Sequence, residues 1–208
     1  MKQKPRYHHG NLRETLLDAA TILLKDNGVD GLSLRKLASH VGVSRTAPYH
    51  HFQNKNELLC AIAEEGFKKH HTEAKNNFED SSIPMKERFR SYIHNYVKFA
   101  HSNPELYELM FGGTIWKQQQ STEELRDTAY PCFQHQLDMT REWQRIGLIN
   151  QEENTLRLSQ VIWGSIHGIA KLLIDGIYTQ TSQIEEICNC AANIFLQNNH
   201  SKNTAKER

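Results

Sequence analysis

The stretch SLRKLASHVGVSRTAPYHHFQNKNEL, residues 33–58, contains two short segments with a glycine between them. In the first segment apolar residues recur at helical spacing, at Leu34, Leu37, Ala38 and Val41. Ser33 is placed to cap this helix, and Gly42 allows a turn with a positive φ. Ser44 can cap a further helix that ends near Phe52. Two short helices joined by a glycine turn predict a helix-turn-helix.

The second segment, Ser44–His51, is crowded with polar side chains where the first is apolar. In a helix-turn-helix the second helix lies in the major groove of DNA, so its exposed face meets phosphates and base edges. Pro48 has no amide hydrogen and restricts Ala47. We therefore expect Pro48 in the first turn of this helix or just beyond it.

The chemistry of single residues suggests their roles on DNA. Arg45 is the best candidate for reading a base, because a guanidinium can chelate guanine with two hydrogen bonds. Lys55 enters the first turn of the next helix, where acidic residues are favoured, so a cation there predicts a phosphate clamp. The expected DNA contacts are Ser33, Arg35, Ser44, Arg45, Thr46, Ala47, Tyr49, His50 and Lys55. The basic arm of Lys2, Lys4 and Arg6 is expected to add phosphate or minor-groove contacts.

Charge is distributed unevenly along the chain. Residues 1–55 carry nine Lys and Arg against four Asp and Glu, a net charge of +5, and residues 56–208 carry sixteen against twenty, a net charge of −4. A basic N-terminal part followed by a mildly acidic part is the pattern expected when only the first meets a polyanion.

Composition and length place the chain among ordinary globular proteins. The 208 residues are 38% hydrophobic and 24% charged, and no run approaches the roughly 18 apolar residues of a membrane span. The N-terminus has basic residues without an apolar segment, so we expect no secretory signal and a cytoplasmic location. Four cysteines with no disulfide-like spacing, and histidine pairs without metal-ligand spacing, predict neither disulfides nor a bound metal or cofactor.

Helical periodicity continues through the rest of the chain, and no segment alternates as a β-strand does. The polar link at 79–84 separates a long helix from the helices that follow it. We expect an all-α fold of about nine helices, in which residues 11–71 form a DNA-binding domain and residues 84–198 form a regulatory and dimerisation domain.

The segment from Asn11 to His71 resembles the TetR family of bacterial regulators. The resemblance rests on the run from Leu16 to Leu59, and above all on Tyr49, His51 and Phe52 followed by Lys55 and Leu58-Leu59. It implies a homodimer that binds a roughly palindromic operator, and a C-terminal domain that binds a small-molecule effector. The family's DNA contacts carry over onto Arg45, Thr46, Tyr49, His50 and Lys55.

The C-terminal part carries weaker signals. Val161–Gly176 resembles the Trp-x-x-x-His-Gly signature of one TetR subgroup, and Trp163 and His167 share a helical face. The candidate effector contacts are Tyr92, Tyr96, Phe99, Phe111, Trp116, Phe133, Trp163 and His167, although aromatic residues at helical spacing are more often core than pocket. The candidate dimer contacts are Ile166, Leu173, Ile177, Ile184, Ile187, Ala191, Ile194 and Phe195.

These features bear differently on three possible functions. The sequence favours a repressor that a small molecule releases from DNA. It shows no nucleophile elbow, phosphate-binding glycine loop or paired-carboxylate motif, which argues against an enzyme, and no catalytic residue is expected. A DNA-binding regulator without a small-molecule effector remains an alternative that sequence separates poorly from the first.

Overall fold

The structure, a computed structural model, describes residues 12–117, 120–178 and 183–196. The predicted basic arm at Lys2, Lys4 and Arg6 lies outside these residues. The described part of the chain is helical and contains no β-strand beyond an isolated bridge between Ile149 and Leu196. The prediction of an all-α fold is confirmed. Within the described ranges, no helix is both long and apolar enough to cross a bilayer.

The helices follow in a simple order. They are α1 Leu12–Gly31, α2 Leu34–Val41, a 3-10 helix at Ala47–His50, α3 Lys55–Glu79, α4 Met85–Ser102, α5 Pro104–Phe111, α6 Gly113–Trp116, α7 Glu123–Arg145, α8 Thr155–Ile174 and α9 Ile184–Phe195.

Local sequence signals explain where several helices begin and end. The Ser33 side chain accepts a hydrogen bond of 3.2 Å from the Lys36 amide and caps α2 as predicted. Gly42 ends α2 with a φ of 78°, in the left-handed region that glycine adopts without strain. Asn54 accepts from the Glu57 amide at 3.0 Å and caps α3.

The prediction of a helix from Ser44 to near Phe52 is wrong in both the type of helix and its length. Only Ala47–His50 is helical, and it forms a 3-10 turn rather than an α-helix. Backbone hydrogen bonds between residues three apart form this turn; for example, the Tyr49 amide donates to the Thr46 carbonyl oxygen at 3.1 Å. Pro48 lies in its first turn and has no amide hydrogen for a regular helical ladder. The turn is therefore short, and its proline ring is buried.

Helical periodicity in the sequence predicts one helix from about Glu153 to Tyr178, and Gly112-Gly113 predicts the end of another. The structure differs at both boundaries. The helix predicted to reach Tyr178 ends at Ile174, because Gly176 turns the chain with a φ of 69°. Ile177 therefore lies beyond α8 instead of on its face. The short helix α6 follows Gly112, where sequence analysis expected the helix to stop and predicted none.

The chain forms two compact units. Unit 1 consists of the residues up to Gly66 together with Asn103–Asp127. In unit 1, α1 packs against both α2 and α5, and α2 packs against the 3-10 turn. Its fully buried side chains include Leu16, Ala20, Leu24, Leu37, Ala38, Phe52 and Leu58. Thus α5 and α6, which follow α4 in sequence, belong to the unit that contains the helix-turn-helix.

Unit 2 consists of Phe67–Ser102 and the residues from Thr128 onward. Its centre is α4, which packs against both α8 and α9. The buried side chains of this core include Phe89, Ile93, Val97, Trp143, Ile162 and Ile166. The long helices α3 and α7 each contribute residues to both units.

Candidate functional site

The 3-10 turn and its flanks present a polar surface. The predicted DNA contacts Ser44, Arg45, Thr46, Tyr49 and His50 are all exposed. They surround Pro48, whose buried ring fixes the turn against the rest of unit 1. An exposed row of hydroxyl, guanidinium and imidazole groups over a buried anchor can meet a phosphate backbone without disturbing the core.

The other predicted DNA contacts have different environments. Arg35 is exposed on α2, whereas Ser33 is half-buried and its oxygen already caps that helix. Ala47 is half-buried in the turn. Lys55 is the first residue of α3 and is also half-buried, immediately after the capping residue Asn54. Its ammonium and the free amides of the helix N-terminus are both suited to an anion.

One contact supporting this surface was missed by sequence analysis. The Arg13 guanidinium lies 5.4 Å from the centre of the Phe52 ring, within the range of a cation–π interaction. Phe52 is fully buried at the end of the turn. No motif in the sequence indicates this pairing, because the two residues are 39 positions apart.

Six of the eight predicted effector residues lie in unit 2. They are Tyr92, Tyr96, Phe99, Phe133, Trp163 and His167. The other two, Phe111 and Trp116, belong to unit 1, where the Trp116 indole donates to the Met110 carbonyl oxygen at 2.6 Å. The predicted set is therefore divided between the two units.

Within unit 2 several of these rings form a bonded cluster, here called the aromatic cluster. The Trp163 indole N–H donates to the Tyr96 hydroxyl oxygen at 2.8 Å, and this oxygen lies 3.5 Å from Nδ1 of His167. The Phe133 and His167 rings each lie 5.5 Å from the Trp163 ring. The cluster thus links α4, α7 and α8 by both stacking and hydrogen bonds.

A pocket in unit 2 opens between α3 and α4 and is here called the α3–α4 pocket. Its volume is about 10 Å³, room for about one water molecule. Its lining residues are His70, Glu73, Ala74, Asn77, Tyr92, Asn95 and Tyr96. Only Tyr92 and Tyr96 were predicted, because the other five resemble ordinary polar or small surface residues in the sequence.

Burial controls the ionisation of the pocket floor. It lowers the pKa of His70 to about 4, and the imidazole lies 5.1 Å from the rings of both Tyr96 and Phe99. Burial also raises the pKa of Tyr92 well above its ordinary value. Both groups are therefore neutral near pH 7, since desolvation disfavours their charged forms.

Behind the pocket floor lie two buried nitrogen donors. The Tyr92 hydroxyl donates to Oε1 of Gln136, whose amide nitrogen has no hydrogen-bond partner among the described residues. The indole nitrogen of Trp143 is likewise unpartnered there, and its ring lies 5.5 Å from the Tyr92 ring. Buried donors without an acceptor are rare in folded proteins. This part of unit 2 therefore contains two hydrogen-bond donors that no described protein group satisfies.

The predicted dimer contacts divide into inner and outer groups. Ile166, Leu173 and Ala191 are already buried within a single chain. The physical reason is that α4 packs against α8 and α9 and already covers these side chains. Ile184, Ile187 and Phe195 are half-buried, and Ile177 and Ile194 are 65% and 74% exposed.

The outer face of α8 combines an exposed apolar side chain with two glycines. Val161 is 57% exposed there. A Cβ atom added to Gly164 or Gly168 would meet nothing within 4 Å. The face therefore leaves room for a close approach by another helix.

Metal binding has no support in the described ranges, where no group of three or more His, Cys, Asp or Glu side chains could hold an ion. The His71 and His135 rings lie 5.1 Å apart, and burial lowers the pKa of both. All four cysteines are free.

Comparison with known proteins matches the chain in two parts. Residues 16–62 match the family described as bacterial regulatory proteins, tetR family. Residues 89–190 match the tetracyclin repressor-like C-terminal domain.

Curated relatives match mainly the N-terminal part. The class D tetracycline repressor of Escherichia coli is 39% identical over 84 residues, which are 40% of this chain and 35% of the repressor. The nucleoid occlusion factor SlmA of Vibrio campbellii is 30% identical over 125 residues, 60% of this chain and 62% of that factor. The chain thus spans about a third of the length of the tetracycline repressor that it matches.

Solved structures match along most of the chain. A protein of unknown function from Rhodococcus is 31% identical, with a TM-score of 0.80, covering 93% of this chain and all of that one. FadR from Bacillus subtilis, solved in complex with stearoyl-CoA, is 18% identical, with a TM-score of 0.65, over 88% of this chain and 97% of its own. The second likeness concerns the fold alone.

Proposed function

Because the chain belongs to the tetR family of bacterial regulatory proteins, we propose that it is a dimeric transcriptional repressor that a small molecule releases from duplex DNA. We propose also that it acts in the cytoplasm and is not an enzyme. The observation that carries the proposal is the exposed polar row of Ser44–His50 on the buried Pro48 anchor, within the segment that matches the family.

On DNA, the 3-10 turn would enter the major groove. Arg45 would read a guanine, and Tyr49, His50 and Lys55 would hold phosphates on either side. The half-buried Ala47 has less freedom than the exposed residues to reach a thymine methyl group. Backbone amides at the start of α3 would strengthen the phosphate contact beside Lys55.

A second copy of the chain would pack against the outer faces of α8 and α9. The support for this dimer is exposed apolar surface at Val161 on α8 and at Ile194 on α9, together with Gly164 and Gly168 on α8, which leave space for a crossing helix. Two copies related by a twofold axis would carry two recognition turns related by the same axis, so the operator would be roughly palindromic. Its half-sites would be about 34 Å apart or a multiple of this.

Control by a small molecule requires that the molecule binds one conformation more tightly than another. The α3–α4 pocket lies on the helix that begins at Lys55, immediately after the recognition turn, and continues to Glu79. A ligand that shifts this helix would change the position of the turn. A coupling of about 1–3 kcal/mol would weaken DNA binding roughly 5- to 150-fold.

A second candidate function is supported by the match to a nucleoid occlusion factor, which extends over more of the chain than the match to the tetracycline repressor. In that case the protein would bind DNA without a small-molecule effector. Both candidate functions require the same DNA-binding surface, and they differ only in whether unit 2 binds a small molecule.

The test is selection of binding sites from random duplexes, followed by titration at several salt concentrations. We expect enrichment of a rough palindrome and a logarithmic salt dependence with a slope of about −0.9 for each phosphate contacted. Equal affinity for selected and random duplexes would contradict the proposal. Release of the selected duplex by small molecules then separates the two candidates.

A further inference from the structure

The described chain passes from one compact unit to the other at three places. The first crossing lies within α3 at residues 66–67, the second lies between α4 and α5 at residues 102–103, and the third lies within α7 at residues 127–128. Each crossing coincides with a residue that interrupts or weakens a helix, as the following paragraphs describe.

The crossing on α7 is weakened by Pro131, which lies inside that helix. Proline has no amide hydrogen, so it cannot donate the helical hydrogen bond to the carbonyl of Asp127, four residues earlier. Asp127 is the last residue of unit 1 on this helix. Pro131 is exposed, so burial of its ring does not offset the lost hydrogen bond. The helix is therefore easiest to bend where it passes between the units.

The other two crossings are also weak points of helical structure. Gly66 lies in the interior of α3, where glycine is the least favourable residue after proline. Asn103 separates α4 from α5 with a φ of −138° and a ψ of 56°, outside the helical range, and Pro104 begins the next helix. None of the three crossings is therefore made by an uninterrupted run of strong helix formers.

Contacts within each unit bring the crossings close together. In unit 2 the Cys132 thiol lies 3.7 Å from the Phe67 carbonyl oxygen and 3.4 Å from the Thr128 carbonyl oxygen, so α3 and α7 are adjacent where they enter this unit. In unit 1 a Cβ added to Gly66 would lie 3.0 Å from Cδ1 of Leu106, so α5 begins beside α3. Adjacent crossings can bend about one common region.

We propose that these three crossings form a hinge, with Pro131 as its principal residue, about which unit 1 turns as one body. Hinges are typically a few residues at the ends or weak points of elements, which absorb the change in backbone angles. Unit 1 contains the recognition turn together with α5 and α6. The hinge therefore lets the two recognition turns of a dimer adjust to the spacing of the operator half-sites. This inference rests on the proposed binding of DNA by a dimer.

The first experiment varies the spacing of the selected duplex by inserting or removing one base pair between its half-sites, a shift of about 3.4 Å. Binding of the native chain and of Pro131→Ala is then measured on all three duplexes. Both proteins should bind the selected duplex. On the altered duplexes Pro131→Ala should lose at least about fivefold more affinity than the native chain, because alanine restores the amide and favours a continuous helix. Equal losses in the two proteins would overturn the hinge.

Two further variants control for the removal of a proline. Pro84→Ala replaces an exposed proline of unit 2 that lies before α4 and away from the crossings, so it should bind all three duplexes as the native chain does. Pro131→Gly keeps a weak helix former at the crossing and should tolerate altered spacing better than Pro131→Ala. The same loss of tolerance in Pro84→Ala as in Pro131→Ala would overturn the assignment to α7.

The second experiment needs no DNA and measures amide hydrogen exchange of the full chain by mass spectrometry. Amides of residues 128–134 should exchange at least about fivefold faster than those of residues 136–144 in the same helix, since local opening begins where hydrogen bonds are missing. Pro131→Ala should reduce this difference. Uniform protection along α7 in the native chain would overturn the hinge.

Failure of this inference is distinguishable from failure of the proposed function. If selection yields no palindrome, binding by a dimeric regulator fails and hydrogen exchange alone decides the hinge. If a palindrome is bound while Pro131→Ala changes neither spacing tolerance nor exchange, the proposed function stands and the hinge fails.

Discussion

At the residue scale, the polar groups of the recognition turn divide into those that read bases and those that hold phosphates. Arg45 and Lys55 are the clearest pair, because one is exposed on the turn and the other begins α3 beside a helix N-terminus. We therefore expect removal of each side chain to change DNA binding in a different way.

Arg45→Ala should relax the base preference and weaken the selected site by about 1–3 kcal/mol. Lys55→Ala should weaken selected and random duplexes alike and reduce the salt slope by roughly one, as loss of a phosphate contact does. Quantitative binding on both duplexes across a salt series measures these effects. An unchanged preference in Arg45→Ala would remove Arg45 from base reading.

His70 predicts a dependence of stability on pH. Its pKa is about 4 in the folded chain against an ordinary value of 6.5, so the unfolded chain takes up the proton first as pH falls. Stability is therefore full above about pH 6.5 and falls by about 3 kcal/mol as pH decreases to 4. His71 and His135 act in the same direction.

Urea unfolding of the native chain and of His70→Phe at pH 7.5 and pH 4.5 tests this dependence. The variant should lose less stability on acidification, because its ring takes up no proton. Equal losses in the two proteins would show that His70 does not contribute.

Single residues differ in how far sequence alone predicts them. The exposed DNA candidates could be named because their chemistry is local and their neighbours in sequence set their exposure. The positions of His70, Glu73 and Asn77 in the lining of a pocket could not be predicted, since they depend on α4 lying opposite these residues. The burial of the inner dimer candidates within one chain, such as that of Ile166, could not be predicted for a related reason: periodicity shows that a face is apolar and does not show which element covers it.

At the element scale, the recognition turn shows how one residue changes a helix. The cap at Ser33 and the break at Gly42 were predicted correctly, because each depends on a few adjacent residues. The α-helix expected after Gly42 was reduced to a 3-10 turn by Pro48. Its length could not be predicted, because a proline is compatible with both a first helical turn and a 3-10 turn.

At two glycines in different elements, an added methyl group is expected to have opposite effects on the stability of the chain. A Cβ at Gly112 would lie 2.3 Å from the Glu108 carbonyl oxygen, which is fixed backbone. Gly112→Ala should therefore destabilise the chain by about 1–3 kcal/mol, measured by urea unfolding. A stability equal to that of the native chain would contradict this packing.

Gly168→Ala should leave one isolated chain at least as stable, since nothing lies within 4 Å of the added atom and alanine is favoured in helices by up to about 1 kcal/mol. Weaker self-association in sedimentation equilibrium would then show that a partner helix packs against this position. Unchanged association would exclude Gly168 from the interface.

At the scale of the whole molecule, the proposed dimer depends on the outer faces of α8 and α9. Ile194→Asp and Val161→Asp should yield monomers that lose specific DNA binding, because a charge would be buried at the interface. Ile22→Asp is the matched control, since Ile22 is 53% exposed on α1, and it should leave the dimer intact. Light scattering reports the mass, and a dimer in both test variants would contradict the assignment.

The membership of α5 and α6 in unit 1 has a consequence for synthesis of the chain. A ribosome releases residues in order, so the helix-turn-helix emerges well before Asn103–Asp127, the segment that completes its unit. The contact between α1 and α5 joins segments about eighty residues apart, and such non-local contacts form late. During synthesis, the apolar surface of α1 that α5 covers in the folded chain therefore stays exposed until α5 has been made. A chimaera that transplants this DNA-reading segment into another regulator would need to carry residues 103–127 with it.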